Sequence, residues 1–287
     1  MNSNMLDVIV RIHDPRRLDE LKRCVFSIAC QSYRPITINI CCQRFSGADL
    51  EAVSAQVATV LVGNHDIALK FHNFGAVYPA DARSALLNMG VKAAQGRHLA
   101  FLDYDDVIFP NAYAQLIEDL NASGAAISFG RINVKHVMVQ DDYQIVLRRE
   151  RPFKGENVVH LFKGNFCPIH SFVIDRGKVD PADIYFDQSL TRNEDYDFLL
   201  RFCSSYVASF NMRETVMGDY YCKSDGSNTI LVQASFNEEN VAAWKLAEDL
   251  VELRREILYV SPAVQRALGI AEIDPKLTIK RLIATEA

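Results

Sequence analysis

The chain has 287 residues, 49% of them hydrophobic and 23% charged, with a formal net charge of −5 at pH 7. A chain of this length forms one large domain, with or without a small appendage, and needs no disulfide or structural metal to hold its core. The negative total speaks against a dedicated nucleic-acid binder, which carries a strongly basic face, so no nucleic-acid partner is expected. The seven cysteines include no C-x-x-C pair and sit mostly in apolar runs, so they read as reduced core residues. The opening MNSNMLDVIVRIHD has no basic start and only a short apolar run, unlike a signal peptide. No stretch approaches the ~18 apolar residues of a membrane helix. A cytoplasmic protein is expected, with peripheral attachment at the inner face of the cell membrane left open.

The first half alternates strand and helix patterns. DVIVRI (7–12) is a β-branched run stopped at His13-Asp14-Pro15, and Leu18, Leu21, Val25, Ile28 and Ala29 then recur at helical spacing. ITINICC (36–42) is a second strand, followed by a helix over about 48–60, and ALKFHNF (68–74) is a third. A helix from Arg83 to Gln95 carries Leu86, Leu87, Val91 and Ala94 inward, with Gly96 placed to end it. HLAFLD (98–103) is a fourth strand, apolar between His98 and its last residue. Such alternation predicts an α/β fold with a mainly parallel sheet between helices, and ligands outside the carboxyl ends of the strands. Polar clusters stand at three of those ends: His13-Asp14, Gln43-Arg44 and Asp103-Tyr104-Asp105-Asp106.

A helix at about 111–121 closes at Asn121-Ala122-Ser123-Gly124. AAISFGRINV, YQIVLRR and SFVID then read as strands of a looser second half, and Asn193-Glu194-Asp195-Tyr196-Asp197 precedes a helical run. From 237 to 260 an amphipathic helix places Val241, Trp244, Leu250, Val251, Ile257 and Leu258 on one broad face. That face has three candidate partners: the domain itself, a second copy in a homodimer, or a membrane surface. Ser261-Pro262 opens a last short helix that Gly269 ends. The division expected is 1–235, with halves 1–110 and 111–235, followed by a helical extension over 236–287.

FLDYDD carries the sharpest local chemistry. Three carboxylates within four residues repel one another unless a cation neutralises them, and Mg²⁺ or Mn²⁺ prefers such oxygen ligands together with phosphates. On this motif alone a solvated acidic turn competes with a metal site. Residues 82–106, ARSALLNMGVKAAQGRHLAFLDYDD, resemble the core signature of family 2 glycosyltransferases of the GT-A type, and Gln31-Ser32-Tyr33-Arg34-Pro35 resembles that family's Q-(T/S)-Y-x-P. The likeness is good over 6–113 and weaker to about 228. It implies a GT-A fold, Rossmann-like, and a nucleotide-sugar donor. It also implies a divalent metal on Asp105, with Asp103 at the ribose or assisting the metal, and Arg83 near the nucleotide. Work on bacterial surface polysaccharide or glycolipid is part of the same expectation.

One departure stands at the end of the second strand. The family usually has an Asp-Asp-Gly-Ser-like segment there, whose Asp helps recognise the base; this chain has Cys41-Cys42-Gln43-Arg44-Phe45-Ser46-Gly47. Gln43 has the groups to reach a base edge. His13 and Asp14 likewise stand where the family more commonly has Thr-Tyr-Asn, and are expected at the nucleotide pocket.

Glycosidic bond formation needs a base for the acceptor hydroxyl. Asn193-Glu194-Asp195-Tyr196-Asp197 with Arg201 resembles the family's (G/N)-E-D-x-(D/E)-x-x-x-R segment, which implies Asp195 as base and Glu194 as its tuning or acceptor-orienting neighbour. Helix capping is the competing reading; Asp197 reads as a first-turn charge. Asn165 and His170 stand at acceptor-side positions. Lys223 is a candidate diphosphate contact, and Gly226 would let its loop close. Arg148-Arg149-Glu150-Arg151 reads as a solvated run, or else a contact for anionic acceptors or lipid headgroups. The combined expectation is an inverting transferase acting on a glycan or glycolipid acceptor. A nucleotidyltransferase, a phosphohydrolase and an inactive nucleotide-binding scaffold are the alternatives.

Overall fold

The computed structural model describes residues 2–140, 143–224 and 238–285. Its elements in chain order are β1 (Asn2–Ile12), α1 (Leu18–Ala29), β2 (Ile36–Gln43), α2 (Gly47–Ala58), β3 (Ile67–Phe74), α3 (Arg83–Ala93) and β4 (Gly96–Asp103). Then come β5 (Val107–Ile108), α4 (Ala112–Ser123), β6 (Ile127–Val139), β7 (Gln144–Glu150), α5 (Val158–Lys163) and β8 (Phe172–Asp175). The chain continues through α6 (Glu194–Ser205), β9 (Ala208–Lys223), α7 (Glu238–Ile257), α8 (Pro262–Ala267) and α9 (Ile279–Thr285).

One mixed sheet runs in the order β3-β2-β1-β4-β8-β6-β9-β5, with β7 paired to β6. The first four of these strands are parallel neighbours, and β8 joins antiparallel. The α/β expectation and its parallel first half therefore hold. Strand periodicity explains the layers, because alternate side chains leave opposite faces. Ile9, Leu99 and Phe101 enter one apolar cluster with α3 and α6, while Val8, Val10, Ala100 and Leu102 enter another with α1 and α4.

Several expectations need correcting. Gly96 does not cap α3: Ala94 is already extended, and Gly96 opens β4. A Cβ at Gly96 would overlap the Met5 carbonyl, and the Asp7 carboxylate accepts from Gln95 N and Gly96 N at 2.9 and 2.6 Å. Close backbone approach to β1 demands glycine there. Gly124, by contrast, does close α4 in the left-handed region, at φ 74°.

Asp197 stands in the first turn of α6, as expected, but does not face solvent. It is fully buried, with Arg201 Nε at 2.9 Å and Arg254 Nε at 2.7 Å, so a two-sided ion pair fastens α7 to α6. The broad apolar face expected on α7 is only partly covered: Ala247 and Val251 are buried, whereas Val241 and Ile257 stand exposed. Cys30 is exposed and Cys222 half-buried, against the core expectation; the other five cysteines are buried. The 16-residue β9 has no clean strand signature, since Asn211, Arg213 and Glu214 interrupt its apolar run. The boundary expected at 235/236, and Gly226, lie outside the described residues. Among the described residues no helix is long and apolar enough to cross a membrane.

Candidate active site

β1, β2 and β4 end side by side and aim His13, Gln43 and the Asp103–Asp106 turn at one end of the sheet. The turn closes through Asp106 N donating to Asp103 O at 3.0 Å. β9 ends beside it, with Tyr221 N donating to Asp106 Oδ1 at 2.8 Å. A cavity of about 330 Å³ opens here, lined by Arg11, His13, Gln43, Asp81, Arg83, Asp103, Tyr104, Asp105 and Tyr220. A second cavity of about 440 Å³ shares Arg11, Arg83, Asp103 and Tyr220 with the first and extends to Asn165, His170, Glu194, Asp195 and Trp244. The two expected halves of the site, 90 residues apart in sequence, thus share walls.

Arg11 joins them, and it was not among the residues singled out from sequence. It is the register partner of Asp103 across β1 and β4. Its guanidinium grips both carboxylate oxygens, Nε to Oδ1 at 2.5 Å and Nη2 to Oδ2 at 3.1 Å, while Nη1 reaches Glu194 Oε1 at 2.6 Å. Burial alone would raise the Asp103 pKa, but the charge and hydrogen bonds of Arg11 outweigh it and hold Asp103 below the usual carboxylate range. The available signal was an arginine one residue before the carboxyl end of β1, where ligands bind.

Asp105 has its own cation. Lys223 Nζ lies 2.7 Å from Asp105 Oδ2 and 3.8 Å from Glu20, and the lysine side chain is fully buried. Asp106 is buried behind the turn; burial, then the charges of Asp105 and Asp103, push its pKa well up. Arg83 pairs with Asp81 at 2.8 Å and comes within 3.9 Å of Glu194. His13 meets Tyr104 edge-on at 5.6 Å, and burial lowers its pKa, favouring the neutral ring.

Two of the expected donor residues sit differently. Gln43 lines the first cavity, yet its amide donates to Ala80 O at 2.9 Å and accepts from Ala82 N at 3.2 Å, so both ends hold the 80–82 backbone. Asp14 is turned into a separate groove with Arg16, whose hydrogen bonds hold it at about 2.

On the other side, Asp195 lies in the first turn of α6, where helix geometry brings it next to Glu194. Loss of solvent and then the Glu194 charge push its carboxyl up to about 7, the range of a general base at neutral pH. His170 is buried, its Nδ1 3.5 Å from Asp106 Oδ2, and burial lowers it to about 4. Asn165 Oδ1 accepts from Cys167 N at 3.0 Å, which shapes its loop at the cavity edge.

A divalent ion fits the chemistry of the donor set. Asp105 and Asp103 offer hard oxygens on one turn, leaving the remaining positions to diphosphate and water. Among the described residues no cluster of three or more His, Cys, Asp or Glu is arranged to hold an ion unaided.

Glycosyl transferase family 2 matches over residues 16–180, more than half the chain. The chain belongs to glycosyl transferase family 2. The matched span of this family 2 chain takes in Gln43, Arg83, the Asp103–Asp106 turn and His170, and stops before Asp195. No curated protein matches by sequence. Among solved structures, TarS 1-349 of S. aureus aligns over 77% of this chain and 60% of its own, at 14% identity and TM-score 0.53. The same fragment in complex with UDP-GlcNAc aligns over 94% and 71%, at 12% identity and TM-score 0.57. The mannosyltransferase PcManGT from Pyrobaculum calidifontis, in complex with GDP-Man and Mn²⁺, aligns over 100% and 80%, at 14% identity and TM-score 0.58. The chain spans only 60% of TarS 1-349 and 42% of the longer TarS chain, and identities this low speak for the fold, the GT-A architecture, alone.

Proposed function

We propose that this family 2 chain is an inverting glycosyltransferase that moves a sugar from a nucleoside-diphosphate sugar to a hydroxyl of a glycan or glycolipid. The observation that carries this reading is the Asp103–Arg11–Glu194 bridge, which joins the acidic turn to the helix start that carries Asp195, beside cavities that share walls. The donor belongs in the cavity at the strand ends. Arg83 and Lys223 provide positive charge for its diphosphate, and the complexes of TarS with UDP-GlcNAc and PcManGT with GDP-Man support a nucleotide-sugar donor. A Mn²⁺ or Mg²⁺ ion on Asp105, assisted by Asp103, would supply Lewis-acid stabilisation of the departing diphosphate.

Asp195 takes the acceptor proton. Its raised pKa keeps it basic enough to accept that proton near neutral pH, and Glu194, held by Arg11, supplies the negative charge that maintains the shift. Attack from the Asp195 side, opposite the leaving diphosphate, inverts the anomeric centre in one displacement. Asn165 and His170 face the acceptor.

A second reading follows from Lys223 on Asp105. Internal cations already face Asp103 and Asp105, so donor binding would proceed without metal. Thermal unfolding with UDP, GDP, CDP and dTDP, each with Mn²⁺ and with EDTA, separates the two. A ligand at ~100 times its dissociation constant adds about 2.7 kcal/mol, a shift of roughly 5–10 °C for a domain of this size. A shift that needs Mn²⁺ supports the metal-assisted reading, and an equal shift in EDTA supports the second. No shift with any nucleotide would sink both, and a product retaining the donor's anomeric configuration would sink the single displacement.

A further inference from the structure

β6 and β7 pair as an antiparallel ribbon over residues 134–139 of β6, with β9 on the other edge of β6 as far as Val137, and β7 has β6 as its one strand neighbour among the described residues. From Ile145 to Arg149 every residue of β7 is exposed. Tyr143 is 60% exposed, Ile145 41%, Val146 51% and Leu147 62%. Four such side chains in five positions form an apolar patch, where a soluble edge strand normally carries charge or proline.

The patch has two faces. Val146 stands opposite Val137, and Ile145 opposite Met138 on the reverse side. The register slips by one residue between His136 and Val137, leaving Leu147 without a partner at the bulge. A second copy adding a strand to the β7 edge, or packing on one side, would leave the other side wet. A lipid layer covers both faces at once.

The charge around the patch has the sign for anionic lipid. Between Tyr143 and Lys154 stand Arg148, Arg149, Arg151 and Lys154 against the single acid Glu150, in a chain whose net charge is −5. Arg148 shares its charge with Glu150 at 3.0 Å and Arg149 with Asp219 at 3.6 Å, so the exposed Arg151 and Lys154 carry the charge offered to headgroup phosphates. In sequence, Asp141 and Asp142 directly precede Tyr143.

The base of the same ribbon forms part of the acceptor cavity, through Val134, His136, Glu150, Pro152 and Phe153. We propose that the β6–β7 ribbon docks this chain on an anionic phospholipid bilayer and brings the cavity mouth to headgroup level. The docking itself stands independently of the proposed transfer reaction. Its consequence, an acceptor presented on a lipid, rests on that reading.

The test is co-sedimentation of the full chain with phosphatidylcholine vesicles and with equimolar phosphatidylcholine–phosphatidylglycerol vesicles, at low and high salt, with light scattering in parallel. The expected result is binding to the anionic vesicles only, weakened by salt. The double change Arg151→Gln with Lys154→Gln should lower the partition coefficient about tenfold. Val146→Ser with Leu147→Ser should abolish it while leaving the unfolding midpoint and nucleotide binding as they were, since these side chains are exposed and line neither cavity. Binding to neither vesicle, or binding indifferent to these substitutions, overturns the proposal. So does a dimer that Val146→Ser with Leu147→Ser dissolves, which would assign the ribbon to a second copy.

Discussion

Lys223 Nζ sits 2.7 Å from Asp105 Oδ2, so the carboxylate expected to hold a metal already faces a buried internal cation. A metal and a lysine compete for one carboxylate, and whichever yields decides how the diphosphate is neutralised. Lys223→Gln should therefore shrink the nucleotide-induced unfolding shift in EDTA. It should also lower by about tenfold the Mn²⁺ concentration giving half of the metal-dependent shift, equivalent to about 1.4 kcal/mol. Unchanged metal dependence would remove Lys223 from the donor site.

Asp195→Asn should leave nucleotide binding intact and cut turnover by about 10²–10⁴-fold, the usual contribution of a positioned base. In the unmodified chain, turnover should climb with pH to about 7 and level off above it, because the base acts only when ionised. The stability sign is the reverse of an ordinary surface aspartate. A carboxyl raised in the folded state favours folding while protonated, and that advantage disappears as pH rises through about 7. Asp195→Asn should accordingly raise the unfolding midpoint at pH 8 by clearly more than at pH 5, because the loss accumulates from the ordinary carboxylate range up to about 7. Equal effects at both values would contradict the raised pKa.

Removing Arg11 leaves Asp103 and Glu194 facing each other without their shared cation. Arg11→Met should destabilise the fold by about 2–4 kcal/mol, as breaking a largely buried pair does. Urea unfolding measures it. A loss below about 0.5 kcal/mol, the size of an exposed pair, would show that the bridge is not formed in solution.

Arg254→Ala tests how the last helices are held, since Asp197 is fully buried and shared between Arg201 and Arg254. A loss of about 2–3 kcal/mol is expected, with proteolysis of the segment after 237 accelerated first. Uniform proteolysis across the chain would argue that α7 is fastened elsewhere.

Trp244 is the single tryptophan and lines the second cavity. Its emission should shift on adding a saccharide acceptor and stay flat with nucleotide alone. Trp244→Ala should lower acceptor kcat/KM about 5- to 10-fold, the scale of one aromatic contact. An emission change with nucleotide but none with any saccharide would reassign this wall to the donor.

Much of the first half was legible because it obeys short-range rules. The apolar runs of β1, β2 and β4 and the helical spacing of α1 each report their own element, and the rule that ligands gather at strand ends then points to Asp103–Asp106. What sequence left undecided depends on residues meeting across long separations. Gln43 read as a candidate for a base edge, and only the folded chain shows that its amide also holds the 80–82 backbone. Asp197 read only as a first-turn charge, and its pairing with Arg254 is set by the packing of α7 on α6.

By itself, the sequence determined the layered α/β scaffold, the acidic turn at the end of β4 and the family likeness, since all three are written in local patterns of one segment each. Tertiary structure alone decided that Arg11 ties Asp103 to Glu194 and that Lys223 neutralises Asp105. Those pairs span up to 183 residues. A charge that pairs across such a distance leaves no periodic trace in the sequence, and its partner is set by how the strands and helices pack.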